Sequence, residues 1–401
     1  MPEPASNILR AWSVLSWAAF LACSWTWCIG MWLPVILLRD FGIWSFAVFA
    51  IPNVVGAAAM GLALRKRGLS EWITTEHELA ARAFSVVTVV FQLCFLFSLS
   101  GIAFATRFDS LGFIPAGVFG LAMIAIACVY RWIHQISLLV WVVSLLALFW
   151  SLAEIVPSIG EMPDSALDPD GLLWLAPVMV FGFMLCPYLD LTFHSTRRAL
   201  PGTSGSIAFV IGFGMMFLMM IVGTLGYGLL VLVDHQSPLP EHLPLWIVGH
   251  IAMQLAFTVV AHVAGVATTR GDHQGLENVL VKRRVSGSKA MIPGFVLALG
   301  IIVVGASSLI TYAGLTGTEI IYRGFMSFYG LIFPAYVWLC MLPLGTTRTA
   351  RRMWTFVGAV VLAVPFYWMG FIERETWWLV PGVAIVLFAK FIAGGAPRRA
   401  A

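Results

Sequence analysis

Ser24-Trp25-Thr26-Trp27-Cys28-Ile29-Gly30-Met31-Trp32-Leu33-Pro34 lies inside the first hydrophobic segment of the chain and disturbs it. A membrane helix is expected to be a clean apolar run, because no water is present in the hydrocarbon to satisfy broken backbone. This run carries hydroxyls, tryptophans, a glycine and a proline instead. Gly30 is free to leave helical angles, and Pro34 lacks an N–H and crowds the preceding turn. A second stretch with the same defect follows much later: Phe181-Gly182-Phe183-Met184-Leu185-Cys186-Pro187-Tyr188-Leu189-Asp190. Paired Gly/Pro interruptions in two halves of a membrane chain point to a transporter binding site. The breaks are expected at Gly30–Pro34 and Gly182–Pro187, with Trp27 and Tyr188 beside them as walls for a small solute.

The composition supports a membrane setting. Of 401 residues, 60% are hydrophobic and 10% charged, with a mean hydropathy of +0.93; soluble domains carry about 25% charged residues. The net charge of +4 therefore speaks of topology and gives no reason to expect a nucleic-acid partner. The partners expected are the lipid bilayer and a small-molecule solute. The cysteines (Cys23, Cys28, Cys94, Cys128, Cys186, Cys340) fall in apolar spans without metal-site spacing and read as small buried hydrophobes. No metal or organic cofactor is expected, only a sodium ion or proton as coupling ion.

A span needs about 20 apolar residues. On that rule twelve are expected: Ala11–Leu38, Ile43–Leu64, Ala83–Ala105, Ser110–Tyr130, Ile136–Val156, Leu172–His194, Gly205–Val233, Trp246–Thr268, Met291–Thr311, Thr318–Leu344, Met353–Ile372 and Trp377–Ala393. The first hydrophobic segment is too long for a signal-peptide core and is expected to stay in the protein. With the N-terminus inside, all 23 basic residues except Arg39, Arg107, Arg323 and Arg374 fall on the cytoplasmic side, as the positive-inside rule requires. Both termini are then cytoplasmic, in what reads as a bacterial inner membrane. The longest link, Thr269–Ala290, carries Arg270, Lys282, Arg283, Arg284 and Lys289.

The fold class read from this is an all-α polytopic membrane protein. Its single transmembrane domain divides into a first repeat over 11–156, an inverted second repeat over 172–344, and two additional helices over 353–393. Five crossings per repeat make the second inverted, and each repeat opens on one of the disturbed segments. A six-plus-six division, as in the major facilitator superfamily, is the alternative. Gly61-Leu62-Ala63-Leu64-Arg65-Lys66-Arg67-Gly68 resembles that superfamily's motif between its second and third helices, without the acidic residue. The link Ser195–Ser204 is too short for that superfamily's central loop.

Ser24-Trp25-Thr26-Trp27 followed by Arg39-Asp40-Phe41-Gly42 resembles the opening helix and turn of sodium:solute symporters, which share the leucine-transporter fold. Asp190-Leu191-Thr192-Phe193-His194-Ser195-Thr196-Arg197-Arg198-Ala199-Leu200 is similar to the basic segment after their second broken helix. The resemblance implies alternating access, with substrate held in mid-membrane between helices one and six. It also implies a sodium ion held by carbonyls of the first broken helix and hydroxyls of the eighth. Here helix eight offers Thr258 rather than an adjacent Ser/Thr pair.

Among acidic residues, only Glu154, Asp190 and Glu319 fall within the spans. An intramembrane ionisable group is costly and is a functional candidate by default. Asp190 and His194, one turn apart, could relay a proton or sense the coupling ion; alternatively Asp190 pairs with Arg197 or Arg198. Glu154 and Glu319 read as residues at the outer membrane edge. His250, Gln254, Thr258 and His262 recur every fourth residue, forming one polar lane along helix eight. Such a lane faces the bundle interior, lining a path or bonding neighbouring helices. Thr258 and His262 join Asp190 and His194 as ion-coupling candidates. Gln92, Ser98, Asn53 and Tyr329 are weaker pocket candidates.

Two other function classes fit parts of the chain. One is a sensor or scaffold that keeps a transporter-like bundle without net transport. The other is an intramembrane serine hydrolase: Gly202-Thr203-Ser204-Gly205 and His262 resemble the serine and histidine elements of rhomboid proteases. Rhomboids place a whole helix between these elements, whereas here the two helices are consecutive. Transport without catalysis is the expectation carried forward.

Overall fold

The computed structural model describes residues 4–107, 119–123, 125–126, 132–155, 165–233, 245–268, 310–344 and 349–394. The structure is 87% helical, and ten helices among the described residues are long and apolar enough to cross a membrane. The chain is an α-helical, multi-pass membrane protein. The expected spans Ser110–Tyr130 and Met291–Thr311 and the basic link Thr269–Ala290 lie mostly or wholly outside the described residues, as does the side chain of Glu154.

In chain order the helices are α1 (Pro4–Trp25), α2 (Cys28–Phe41), α3 (Trp44–Ala63), α4 (Leu69–Glu76), α5 (Glu78–Arg107), α6 (Ile133–Ile155) and α7 (Gly171–Leu185). A 3-10 turn, Cys186–Leu189, then leads to α8 (Leu191–Ala199), α9 (Thr203–Ile211), α10 (Leu218–Val233) and α11 (Leu245–Thr268). A π-helical turn, Gly212–Phe217, carries α9 into α10 without a stop. A small hairpin, β1 (Thr311–Tyr312) and β2 (Leu315–Thr316), departs from the all-α expectation. Its two-residue turn, Ala313-Gly314, has positive φ at both positions, the backbone twist that tight hairpins require. After it come α12 (Gly317–Ser327), α13 (Phe333–Tyr336), α14 (Ala350–Phe371) and α15 (Leu379–Ala393), with π turns at Phe328–Ile332 and Val337–Met341.

The chain forms two compact units. The first comprises Met1–Val35, Ser85–Met162 and Met219–Tyr322. Within it, α1 packs on α6 and α11 around Phe20, Cys23, Val140, Phe257 and Val260. Hydrophobic force between helices is weak in lipid, so packing and interhelical hydrogen bonds must hold them. Ser137 Oγ donates to Ser16 O at 2.7 Å, and Gln254 Nε2 donates to Ser144 Oγ at 2.7 Å. Phe20 meets Phe257 edge to face, and Trp17 stacks on His134.

The second unit comprises Ile36–Phe84, Pro163–Leu218 and Arg323–Ala401. Here small residues allow close backbone approach. Gly56 of α3 lies directly on the Phe183 carbonyl of α7, and a Cβ on Gly182 would stand 2.6 Å from Tyr329 O. Gly61 meets Ser206 and Phe209, and the Ser206 hydroxyl donates to Gly61 O. Phe193, Phe209, Phe213 and Phe217 make a continuous aromatic row. Tyr367 of α14 donates to Gly330 O at 2.8 Å in the first π turn of the α12–α13 segment. His77, between α4 and α5, lies 2.9 Å through Nδ1 from the Tyr336 hydroxyl.

Gly182→Ala is therefore expected to lower stability by about 1–3 kcal/mol through overpacking. Gly358→Ala, where a Cβ meets nothing within 4 Å, is expected to leave it unchanged. Thermal unfolding of the two variants in one detergent makes the comparison.

Candidate functional site

The first interruption falls at Thr26–Trp27, between α1 and α2. This corrects the expected position: Gly30 and Pro34 both lie inside α2. Pro34 sits within α2 at the cost of the hydrogen bond that its missing N–H would have given Gly30 O. At Thr26–Trp27, side chains compete for the helix's own carbonyls. Thr26 Oγ1 donates back to Ala22 O at 2.7 Å, and Trp27 Nε1 donates to Ser24 O at 2.6 Å.

An unbroken helix would join Trp27 N–H to Cys23 O, and Cys28 N–H to Ser24 O. Trp27 N–H instead reaches Trp25 O at 2.9 Å. Cys23 O accepts from Thr258 Oγ1 at 3.2 Å, and Cys28 N–H donates to Gln92 Oε1 at 3.0 Å. Tyr322 donates to Cys28 O at 2.9 Å, and Tyr227 donates to Met31 O. The seam is thus closed by side chains from α5, α10, α11 and α12, all within the first unit. Trp27 also meets the edge of His262, whose Nδ1 lies 3.1 Å from Ser85 Oγ. Gln92, Thr258 and His262 are wholly buried. Gln92 Nε2 has no acceptor among the described residues.

The lane along α11 is buried over its length, from His250 to His262, as its spacing predicts. Three of its members have identified work: Gln254 bonds Ser144, Thr258 closes the helix break, and His262 meets Ser85 and Trp27. Neither ring nitrogen of His250 has a partner among the described residues.

The second interruption runs from Cys186 to Asp190, in the second unit. Gly182 does not open the backbone, as its sequence setting suggested. It remains helical, and its missing side chain admits the Tyr329 carbonyl. Pro187 sits in the first turn of the 3-10 segment, where its missing N–H costs nothing. Cys186 Sγ donates to Tyr329 O at 3.2 Å. Tyr188 is half-buried, while Pro187, Asp190 and His194 are buried.

Asp190 caps α8. Its backbone is extended, and Oδ1 accepts from both Thr192 N–H and Thr192 Oγ1, each at 2.7 Å. This is the arrangement that makes Asp a favoured N-cap. His194 Nε2 lies 3.0 Å from Tyr188 O. Asp190 Oδ2 and His194 Nδ1 have no partner among the described residues. The alternative pairing of Asp190 with Arg197 or Arg198 is not formed. Arg197 bonds Leu64 O and Gly202 O, and Arg198 bonds Ser195 Oγ.

Sequence reasoning missed a deeply buried ion pair. Asp40, at the end of α2, is fully buried between Arg39, at 2.8 Å, and Arg323 of α12, which also donates to Phe371 O at 3.2 Å. Asp40 and Arg323 stand 283 positions apart, and neither was a site candidate in the sequence. A buried carboxylate next to an arginine in one hydrophobic turn was the only local signal. Among the weaker candidates, Ser98 bonds Cys94 O in its own helix.

Comparison of the sequence with protein-family models and with characterised proteins finds no match.

Two variants test this accounting. Gln92→Leu leaves Cys28 N–H without an acceptor and is expected to cost about 1–3 kcal/mol. Asp40→Ala strips a buried arginine of its carboxylate and is expected to cost about 3 kcal/mol or more, with part recovered in Asp40→Leu/Arg323→Met. Unfolding of the solubilised variants reads both.

Proposed function

We propose that the protein is a secondary transporter that moves a small solute by alternating access, coupled to a sodium ion or proton. The observation that carries this reading is one interrupted membrane helix in each compact unit, at Thr26–Trp27 and at Cys186–Asp190. Non-helical backbone at membrane depth is tolerated where protein buries it or where it lines a water-filled cavity. Discontinuous helices of this kind hold substrates and ions in secondary transporters.

In this reading Trp27, Gly30, Pro34, Gly182, Pro187 and Tyr188 belong to the solute-binding stretches. Asp190, His194, Thr258 and His262 belong to ion coupling. The resemblance to sodium:solute symporters, the count of twelve spans, the inverted five-plus-five repeat and the cytoplasmic termini in a bacterial inner membrane are parts of the same proposal.

Reconstitution into sealed vesicles tests it with a panel of labelled sugars, amino acids, carboxylates and nucleobases under an imposed sodium or pH gradient. One class is expected to accumulate above its equilibrium level and to fall back when the gradient is collapsed. Trp27→Ala is expected to reduce kcat/KM about tenfold or more, the equivalent of roughly 1.4 kcal/mol. Asp190→Asn is expected to abolish gradient-driven accumulation. Solute binding without accumulation under either gradient would overturn transport in favour of sensing, and unchanged coupling in Asp190→Asn would remove that residue from the mechanism.

A further inference from the structure

The second interruption carries two buried atoms whose chemistry is set by their neighbours. Tyr188 O is a carbonyl, so the ring nitrogen 3.0 Å from it, His194 Nε2, must donate. In a neutral imidazole the other nitrogen, Nδ1, is then a bare lone pair. On Asp190, Oδ1 is occupied by the N–H and hydroxyl of Thr192, and Oδ2 is left over. Neither Oδ2 nor Nδ1 has a partner among the described residues, and both side chains are 0% exposed. Two buried acceptors therefore lie on residues four positions apart, each without a hydrogen-bond donor among the described residues. A buried acceptor without a donor costs its full desolvation.

We propose that Asp190 and His194 form a proton-binding site, with the proton carried on Asp190 Oδ2 or His194 Nδ1, and that the proton is the coupling ion. The second clause rests on the transport reading; the binding itself does not. The step is a simple protonation. A lone pair on Oδ2 or Nδ1 forms the O–H or N–H bond to a proton delivered from water, and the same bond breaks when the proton leaves. No other bond changes, and the site's net charge rises by one.

The donor set argues for a proton over a sodium ion. Hard metal cations are held by cages of oxygens, whereas imidazole nitrogen suits protons and transition metals. Three of the carbonyls at this turn are engaged by protein donors. Pro187 O accepts Asp190 N–H, Tyr188 O accepts His194 Nε2–H, and Asp190 O accepts from Phe193 and His194 N–H. The Thr192 hydroxyl points its own proton at Oδ1.

The charged and titratable groups around the site come from several elements. Arg197 and Arg198 lie on α8 itself, and Arg65 lies near Arg197. Glu71 and Glu76 come from α4, which packs on α8; Glu71 acts on Arg198. Tyr336 and Cys340 lie on the α13 and π-helical segments packed against the 3-10 turn. The packed faces of α3, α7 and α9 carry no titratable side chain.

Infrared difference spectroscopy of the full chain in phosphatidylethanolamine–phosphatidylglycerol vesicles tests the site without any solute. Acidification in potassium buffer is expected to raise a carboxylic-acid band or an imidazolium ring mode that replacement of potassium by sodium leaves in place. Asp190→Asn keeps an amide Oδ1 to cap α8, and is expected to remove the Asp190 band. His194→Gln keeps a side-chain donor for Tyr188 O, and is expected to move the midpoint by about one pH unit or more. No signal lost in either variant would overturn the proposal and leave Asp190 as a cap alone. A signal suppressed by sodium at constant pH would overturn it in favour of a sodium site. Failed solute accumulation with an intact infrared signal would remove transport and leave the proton site. A silent spectrum beside gradient-driven uptake would do the converse.

Discussion

A helix broken inside a bilayer must find a partner for every backbone group it releases, because lipid offers none. At Thr26–Trp27 the released groups are Cys23 O, Ser24 O and Cys28 N–H, and each is met by a side chain: Thr258, Trp27 itself and Gln92. Polar residues that would be expensive in hydrocarbon are thereby made necessary. Thr258 of α11, the glutamine of α5 and the tyrosines of α10 and α12 all bond backbone at or just beyond the stretch of α1–α2 that is not helical. The first unit is organised around that requirement as much as around its apolar core.

The two interruptions meet the same constraint in different ways. The first is closed by residues far away in sequence, so displacing α5 or α11 would strip the seam of its partners. The second is largely self-contained. Asp190, Thr192, Tyr188 and His194 bond one another within a single turn, and α8 starts from a complete cap. Long-range contact enters there through the Cys186 thiol on Tyr329 O and through glycine, which brings Tyr329 against α7. A seam held from outside responds to helix movement; a seam held by its own side chains can keep its shape while its charge changes.

How much of this was legible in the sequence follows from the range of each effect. Span positions are set by local apolar length, and ten of the expected spans overlap membrane-length helices among the described residues, the first of them, Ala11–Leu38, being divided between α1 and α2. Interruptions in both stretches were legible from their mix of Gly, Pro, Trp and hydroxyl residues. Their positions were not. Gly30 and Pro34 stay helical, while the helix opens at Thr26–Trp27, where Trp27 N–H turns to Trp25 O and the Trp27 indole takes Ser24 O. Gly182 was read as an opening and serves as a contact surface. The Asp40–Arg323 pair was illegible because its two halves are joined only by the fold. The π turns at Gly212–Phe217 and Phe328–Ile332 left no local pattern distinct from α-helix.

Position 190 poses one more question of residue choice. Asn, Ser or Thr would cap α8 about as well as Asp, and none of them would bring an ionisable group into a fully buried site. Burying a carboxylate without pairing it is costly, and the arginines of α8 are turned to backbone carbonyls and Ser195 rather than to it. The cap accounts for Oδ1 alone. A second oxygen without a donor is intelligible if its charge state is the useful property, so that gaining a proton relieves the burial cost and losing it restores the anion beside the positive end of α8. Capping then keeps the carboxylate in place through both states, which a freely rotating side chain could not do.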